Sequence, residues 1–142
     1  MLRALAALVL MAAPAQAWEA GSGEVCELSH DGETASVRVT YDPAIRQYAI
    51  AISLDRPWSP APLFAMRFDG PRSLTITTDR HVLSDGGTTL TVTDRGFGNV
   101  LNGLEFNLTA TALLGTRAVA VSLEGAAPAV QAFRACADAV SV

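Results

Sequence analysis

Two histidines, His30 and His81, and two cysteines, Cys26 and Cys136, are the only imidazoles and thiols in the chain. Neither histidine lies in an H-E-x-x-H pair or at helical spacing from a second ligand. A zinc site would need both histidines together with Asp79 or Asp85, gathered from separate segments. Ser84, His81 and Asp85 can be written as a triad, but so short a segment does not let three side chains converge in relay geometry. No G-x-S-x-G elbow is present. All ten basic residues are Arg, so chemistry that needs a lysine amine is removed: Schiff bases, Ser–Lys pairs and P-loop phosphate binding. Asp85-Gly86-Gly87 and Gly96-Phe97-Gly98 are too short to cradle a phosphate. With fourteen acids some pair always fits a glycosidase on paper, so carboxylates alone decide nothing. No catalytic, cofactor-binding or metal-binding residue is assigned, and a non-enzymatic role is expected.

The densest polar cluster runs from Asp79 to Asn102. It contains Asp79-Arg80-His81 and Asp94-Arg95-Gly96, each at a strand end. Arg80, His81 and Arg95 are candidate partner-binding residues, because a guanidinium suits an anionic partner. The competing expectation is that each Arg simply pairs with a nearby Asp. If the two strands were antiparallel neighbours, the Asp-Arg pairs would lie at opposite ends. Trp58 is the fourth candidate, either a contact residue held in a proline-rigid loop or a ring folded back over the core edge.

These groups must be positioned by strands. Period-two alternation places Val37, Val39 and Tyr41 on one face of a strand over residues 36–41. It does the same for Tyr48, Ile50, Ile52 and Leu54 over 47–54, and for Phe64, Met66 and Phe68 over 63–69. Leu74 and Ile76 mark a strand over 73–78, Leu90 and Val92 one over 88–94, and further strands are expected at 25–29, 108–113 and 117–123. His30-Asp31-Gly32 reads as a turn. Three prolines within 57–62 exclude regular structure there. A 3.6 period through Phe97, Val100, Leu101 and Leu104 predicts a short helix over 99–105, and Val130, Phe133 and Ala137 predict a longer one over 126–139. The expected fold is mainly β: an antiparallel β-sandwich or small open barrel of seven or eight strands, with a short helix and a C-terminal helix.

Composition bounds the partners. A chain of 142 residues holds one domain, and a formal net charge of −4 disfavours binding through nucleic-acid phosphates. Arg3, the apolar run 4–13, Pro14 and Ala15-Gln16-Ala17 read as a secretory signal cleaved between Ala17 and Trp18. The run is too short for the roughly 20 residues that span a bilayer, so no stable membrane insertion is expected. The remaining 18–142 form a single periplasmic or secreted domain, with Trp18 either a lid on a sheet or exposed. In an oxidising compartment Cys26 and Cys136 are expected to pair, tying an N-terminal strand to the C-terminal helix. Asn107-Leu108-Thr109 matches a glycosylation sequon, relevant only in a eukaryotic secretory pathway.

Cys26-Glu-Leu-Ser-His-Asp31, Val39-Thr-Tyr-Asp-Pro43, Thr78-Asp-Arg-His81 and the segment from Thr93 to Asn107 resemble a group of small exported alphaproteobacterial proteins of unknown function. The ending from Leu123 to Cys136 is similar to the invasion-associated locus B-like periplasmic proteins. Some chains of this kind bear the name of a DNA-repair excinuclease, but that activity needs a P-loop lysine and this chain has no Lys. The resemblance implies export and carries over no catalytic residue. The expected function is an envelope binding module whose partner is a protein or cell-wall component. The rivals are a small periplasmic hydrolase using scattered acids or His81, and an acidic inhibitor of a cell-wall hydrolase.

Overall fold

The computed structural model describes residues 17–140 and Val9. The expected leader and its processing site fall on residues 1–17, which lie outside the described residues but for Val9 and Ala17. Ten strands among the described residues form two antiparallel sheets. The chain is mainly β, as the alternation predicts, and neither sheet closes into a barrel.

The larger sheet contains β1 (Glu19–Gly21), β2 (Cys26–Asp31), β3 (Ser36–Asp42), β4 (Gln47–Ser53), β7 (Val82–Ser84) and β8 (Thr89–Asp94), in the order β1-β2-β3-β4-β8-β7. The smaller contains β5 (Phe64–Asp69), β6 (Leu74–Thr78), β9 (Thr109–Leu114) and β10 (Arg117–Ser122), in the order β10-β9-β5-β6. Two helices follow the expected segments, α1 (Gly98–Phe106) and α2 (Ala126–Val140). β1 and β7 are additional to the expected strands; at three residues each they are too short to show a period.

The inward positions form the core. Leu28, Val39, Ile50, Ile52 and Leu90 of one sheet meet Phe64, Met66, Phe68, Ala112 and Leu114 of the other, all buried. The β3–β4 hairpin closes on an Asx turn in which the Ala44 N–H donates to Asp42 Oδ1 at 3.0 Å. In α2 the buried residues Ala126, Ala129, Val130, Phe133 and Ala137 recur at helical spacing. That stripe faces β1, β2 and α1. Cys26 on β2 and Cys136 on α2 form a disulfide, so the expected strand-to-helix staple is present.

His30 departs from the expected turn. It ends the inward stripe of β2, is buried, and stacks on Trp18 with ring centroids 4.8 Å apart. Trp18 is itself a buried lid, its indole N–H donating to the Ser122 carbonyl at 3.0 Å. The sequon asparagine is buried too. Asn107 Nδ2 donates to the carbonyls of Arg72 and Gly103, and its Oδ1 accepts the Arg72 N–H. An amide committed in this way offers no acceptor nitrogen to a glycan in the folded chain.

Candidate functional site

The chain leaves the smaller sheet at the end of β6 and enters the larger one at β7, so Asp79, Arg80 and His81 form the corner between sheets. β7 pairs with Thr89, Leu90 and Thr91 of β8. Beyond Thr91, the outer edge of β8 has no strand neighbour among the described residues, and neither has the outer edge of β6. The two sheets therefore part along this flank, and a cleft of about 440 Å³ opens between them.

Its floor is apolar and comes from both layers: Ile50 and Val92 from one sheet, Phe64, Met66 and Ile76 from the other. Phe97, Gly98, Asn99 and Val100 supply a further wall at the start of α1. That wall is held from behind. Phe97 stacks on Tyr48 at 5.4 Å, and Arg134 of α2 reaches Glu105 Oε1 at 2.9 Å and Asn102 Oδ1 at 2.8 Å. Burial raises the Tyr48 phenol above its ordinary value, and Tyr41 and Asp138 add to the shift while Arg134 opposes it.

The mouth is polar because both inward stripes end in polar residues. On β6 the series Leu74, Ile76, Thr78 continues to Arg80, and on β8 Leu90 and Val92 lead to Asp94. Arg80 Nη2 lies 3.2 Å from Asp94 Oδ2. The side chains are 68% and 45% exposed, so the pair contributes only about 0–1 kcal/mol to stability. Asp94 Oδ1 accepts the Arg95 N–H at 2.7 Å, and Thr78 Oγ1 accepts the Arg80 N–H at 3.1 Å.

Among the four candidate residues, Arg80 lines this mouth. Arg95 is exposed nearby, and its guanidinium makes no ion pair among the described residues. His81 is partly buried on the other side of the corner. Its Nε2 lies 2.9 Å from the Ala61 carbonyl, which can only accept, so Nε2 carries the proton. Nδ1 is buried with no partner among the described residues. For Trp58 the structure shows the second of the two alternatives, a ring folded back into the core, and not a contact residue. It is 2% exposed, its indole donating to the Ile52 carbonyl and its backbone N–H to the Gly87 carbonyl. The proline-rich loop presses the ring into the core instead of presenting it.

The candidate catalytic groupings do not assemble. His30 and His81 are held by different partners, and among the described residues no three His, Cys, Asp or Glu side chains cluster. Asp85 Oδ2 accepts from Thr89 Oγ1 and His81 is turned to Ala61, so the Ser84–His81–Asp85 triad is not formed. The parting of the sheets escapes the sequence reading. The sequence does carry a signal for the mouth: Leu74-Thr-Ile-Thr-Thr-Asp-Arg80 and Leu90-Thr-Val-Thr-Asp-Arg95 are similarly composed strands whose inward stripes have polar ends. No family model, curated protein or solved structure matches the chain.

Proposed function

We propose that the protein is an exported, non-enzymatic binding module of the cell envelope that takes its ligand in the cleft between β6 and β8. The observation that carries this reading is the cleft's make-up: an apolar floor from both sheets with a polar mouth at Arg80, Asp94 and Asn99. Ligand pockets commonly combine an apolar lining with a few placed polar groups. Export is supported by the leader pattern and by a disulfide of the kind that persists in oxidising compartments. No helix among the described residues is long and apolar enough to cross a membrane.

Site-specific photocrosslinking tests the reading. A benzophenone side chain would replace Asn99 at the mouth or Glu33 in the β2–β3 turn at the far end of the larger sheet. The disulfide-intact protein, exposed to envelope extract, is expected to give a discrete adduct from position 99 and none from position 33. Equal labelling at both positions, or none at 99, would overturn the cleft as the binding site. Turnover of a cell-wall substrate that disappears in a folded His81→Ala variant would replace the binding reading with the hydrolase one.

A further inference from the structure

Resting on the cleft as the ligand site, we infer that its occupant is a single-chain amphiphile ending in a carboxylate, the chemistry of a free fatty acid. The volume, about 440 Å³, lies at the lower end of the ~300–1,000 Å³ range of ligand pockets and suits one acyl chain. Ile50, Met66, Ile76 and Val92 give that chain an apolar bed. A two-chain lipid would leave its second chain outside.

The head group follows from hydrogen-bond accounting at the mouth. A guanidinium carries five N–H donors, and Arg80 gives one of its side-chain donors to Asp94. Asp94 Oδ2 takes Arg80 and Oδ1 takes the Arg95 N–H, which uses about two of the carboxylate's roughly four acceptor sites. The mouth thus has more free donors than acceptors: Arg80 keeps most of its N–H groups, and the Arg95 guanidinium nearby makes no ion pair among the described residues. The wall agrees in sign. α1 begins at Gly98 with no side-chain cap and no acid in its first turn, so that end keeps its partial positive charge toward the mouth. A cationic head would compete with Arg80 for Asp94; a carboxylate would meet the unused guanidinium edge.

The test is titration calorimetry of the disulfide-intact chain with octanoate, decanoate and dodecanoate below their micelle concentrations, beside dodecanol, dodecyltrimethylammonium and a short-chain phosphatidylglycerol. Affinity should rise about fourfold per methylene until the cleft is full. Dodecanoate should bind about fivefold tighter than dodecanol, the size of an exposed charge pair, and Arg80→Gln should erase that preference. Amide shift mapping on the unaltered chain locates the ligand without any variant. The expected shifts are at Thr78, Val92 and Asn99. Dodecanol, the ammonium or the phospholipid binding there as tightly as dodecanoate would overturn the carboxylate inference and leave the cleft reading standing. Shifts confined elsewhere would overturn both. No binding by any of these compounds would overturn the inference alone, since crosslinking at position 99 judges the cleft separately.

Discussion

Arg80, at the corner between the sheets, and Asp94, at the end of β8, close on each other at 3.2 Å on the flank where the sheets part. The pair is too exposed to hold the sandwich together, so it is a gatepost and not a brace. Asp94→Asn is therefore expected to move the urea midpoint by no more than the equivalent of about 1 kcal/mol. The same variant frees the Arg80 guanidinium and should tighten binding of anions at the mouth. A stability loss well beyond that figure would show that the pair is structural.

The disulfide is a different matter. Cys26 is almost fully buried, and the bridge joins positions 110 residues apart, fixing α2 to β2. Cross-linking so long a loop restricts the unfolded chain strongly, so replacing both cysteines by Ala should lower stability by about 2–5 kcal/mol. Urea unfolding of the variant, set beside the native protein with and without reductant, measures this. Reduction of the native protein and the double substitution should agree. A midpoint insensitive to both would mean that α2 packing alone holds that end.

Strands of five to seven residues were legible because their inward residues alternate, as Val37-Arg-Val-Thr-Tyr41 and Phe64-Ala-Met-Arg-Phe68 do. The three-residue β1 and β7 were not, since so few positions establish no period. The disulfide was legible because two cysteines leave one pairing. The cleft was not. Alternation marks which face of a strand points inward, but Ile76 and Val92 read as ordinary core whether the sheets touch or separate. The apparent conflict between the two Asp-Arg segments came from treating β6 and β8 as neighbours; they lie in different sheets, so Arg80 can reach Asp94. Trp58 shows the same limit: its prolines forecast an irregular loop, but the direction of the indole depends on a carbonyl of β4.

Gly103 illustrates a constraint set by packing. A Cβ at this position would sit 2.5 Å from Phe68 Cδ2, and Phe68 is fully buried at the interface of α1 with the sheet. In an exposed helix interior Gly→Ala would stabilise by up to about 1 kcal/mol. Here the overlap is with the face of a buried ring that cannot move aside. Gly103→Ala should destabilise by about 1–3 kcal/mol, the usual range for overpacking. Gly98→Ala, with nothing within 4 Å of its added carbon, is the matched control and should be near neutral. Denaturant unfolding of the two variants separates ring overlap from helix propensity. Equal effects would remove the close approach as the reason for glycine at position 103.

Tyr48 gives the pH dependence a clear sign. Its phenol is raised above the ordinary 10.0, first by burial and then by the neighbouring Tyr41 and Asp138, so the folded state holds this proton more tightly than the unfolded chain. The stabilisation is complete below the ordinary value and is lost as pH rises through it toward the raised one. The background is unusually clean, because the chain has no Lys and both cysteines are oxidised. Urea midpoints collected across the alkaline range should therefore fall, and the ultraviolet signal of phenolate should appear later in the folded protein than in the unfolded one. Tyr48→Phe keeps the ring against Phe97 and Tyr41 while removing the proton. Its midpoints should flatten over the same interval, and an unchanged slope would assign the alkaline loss to another group.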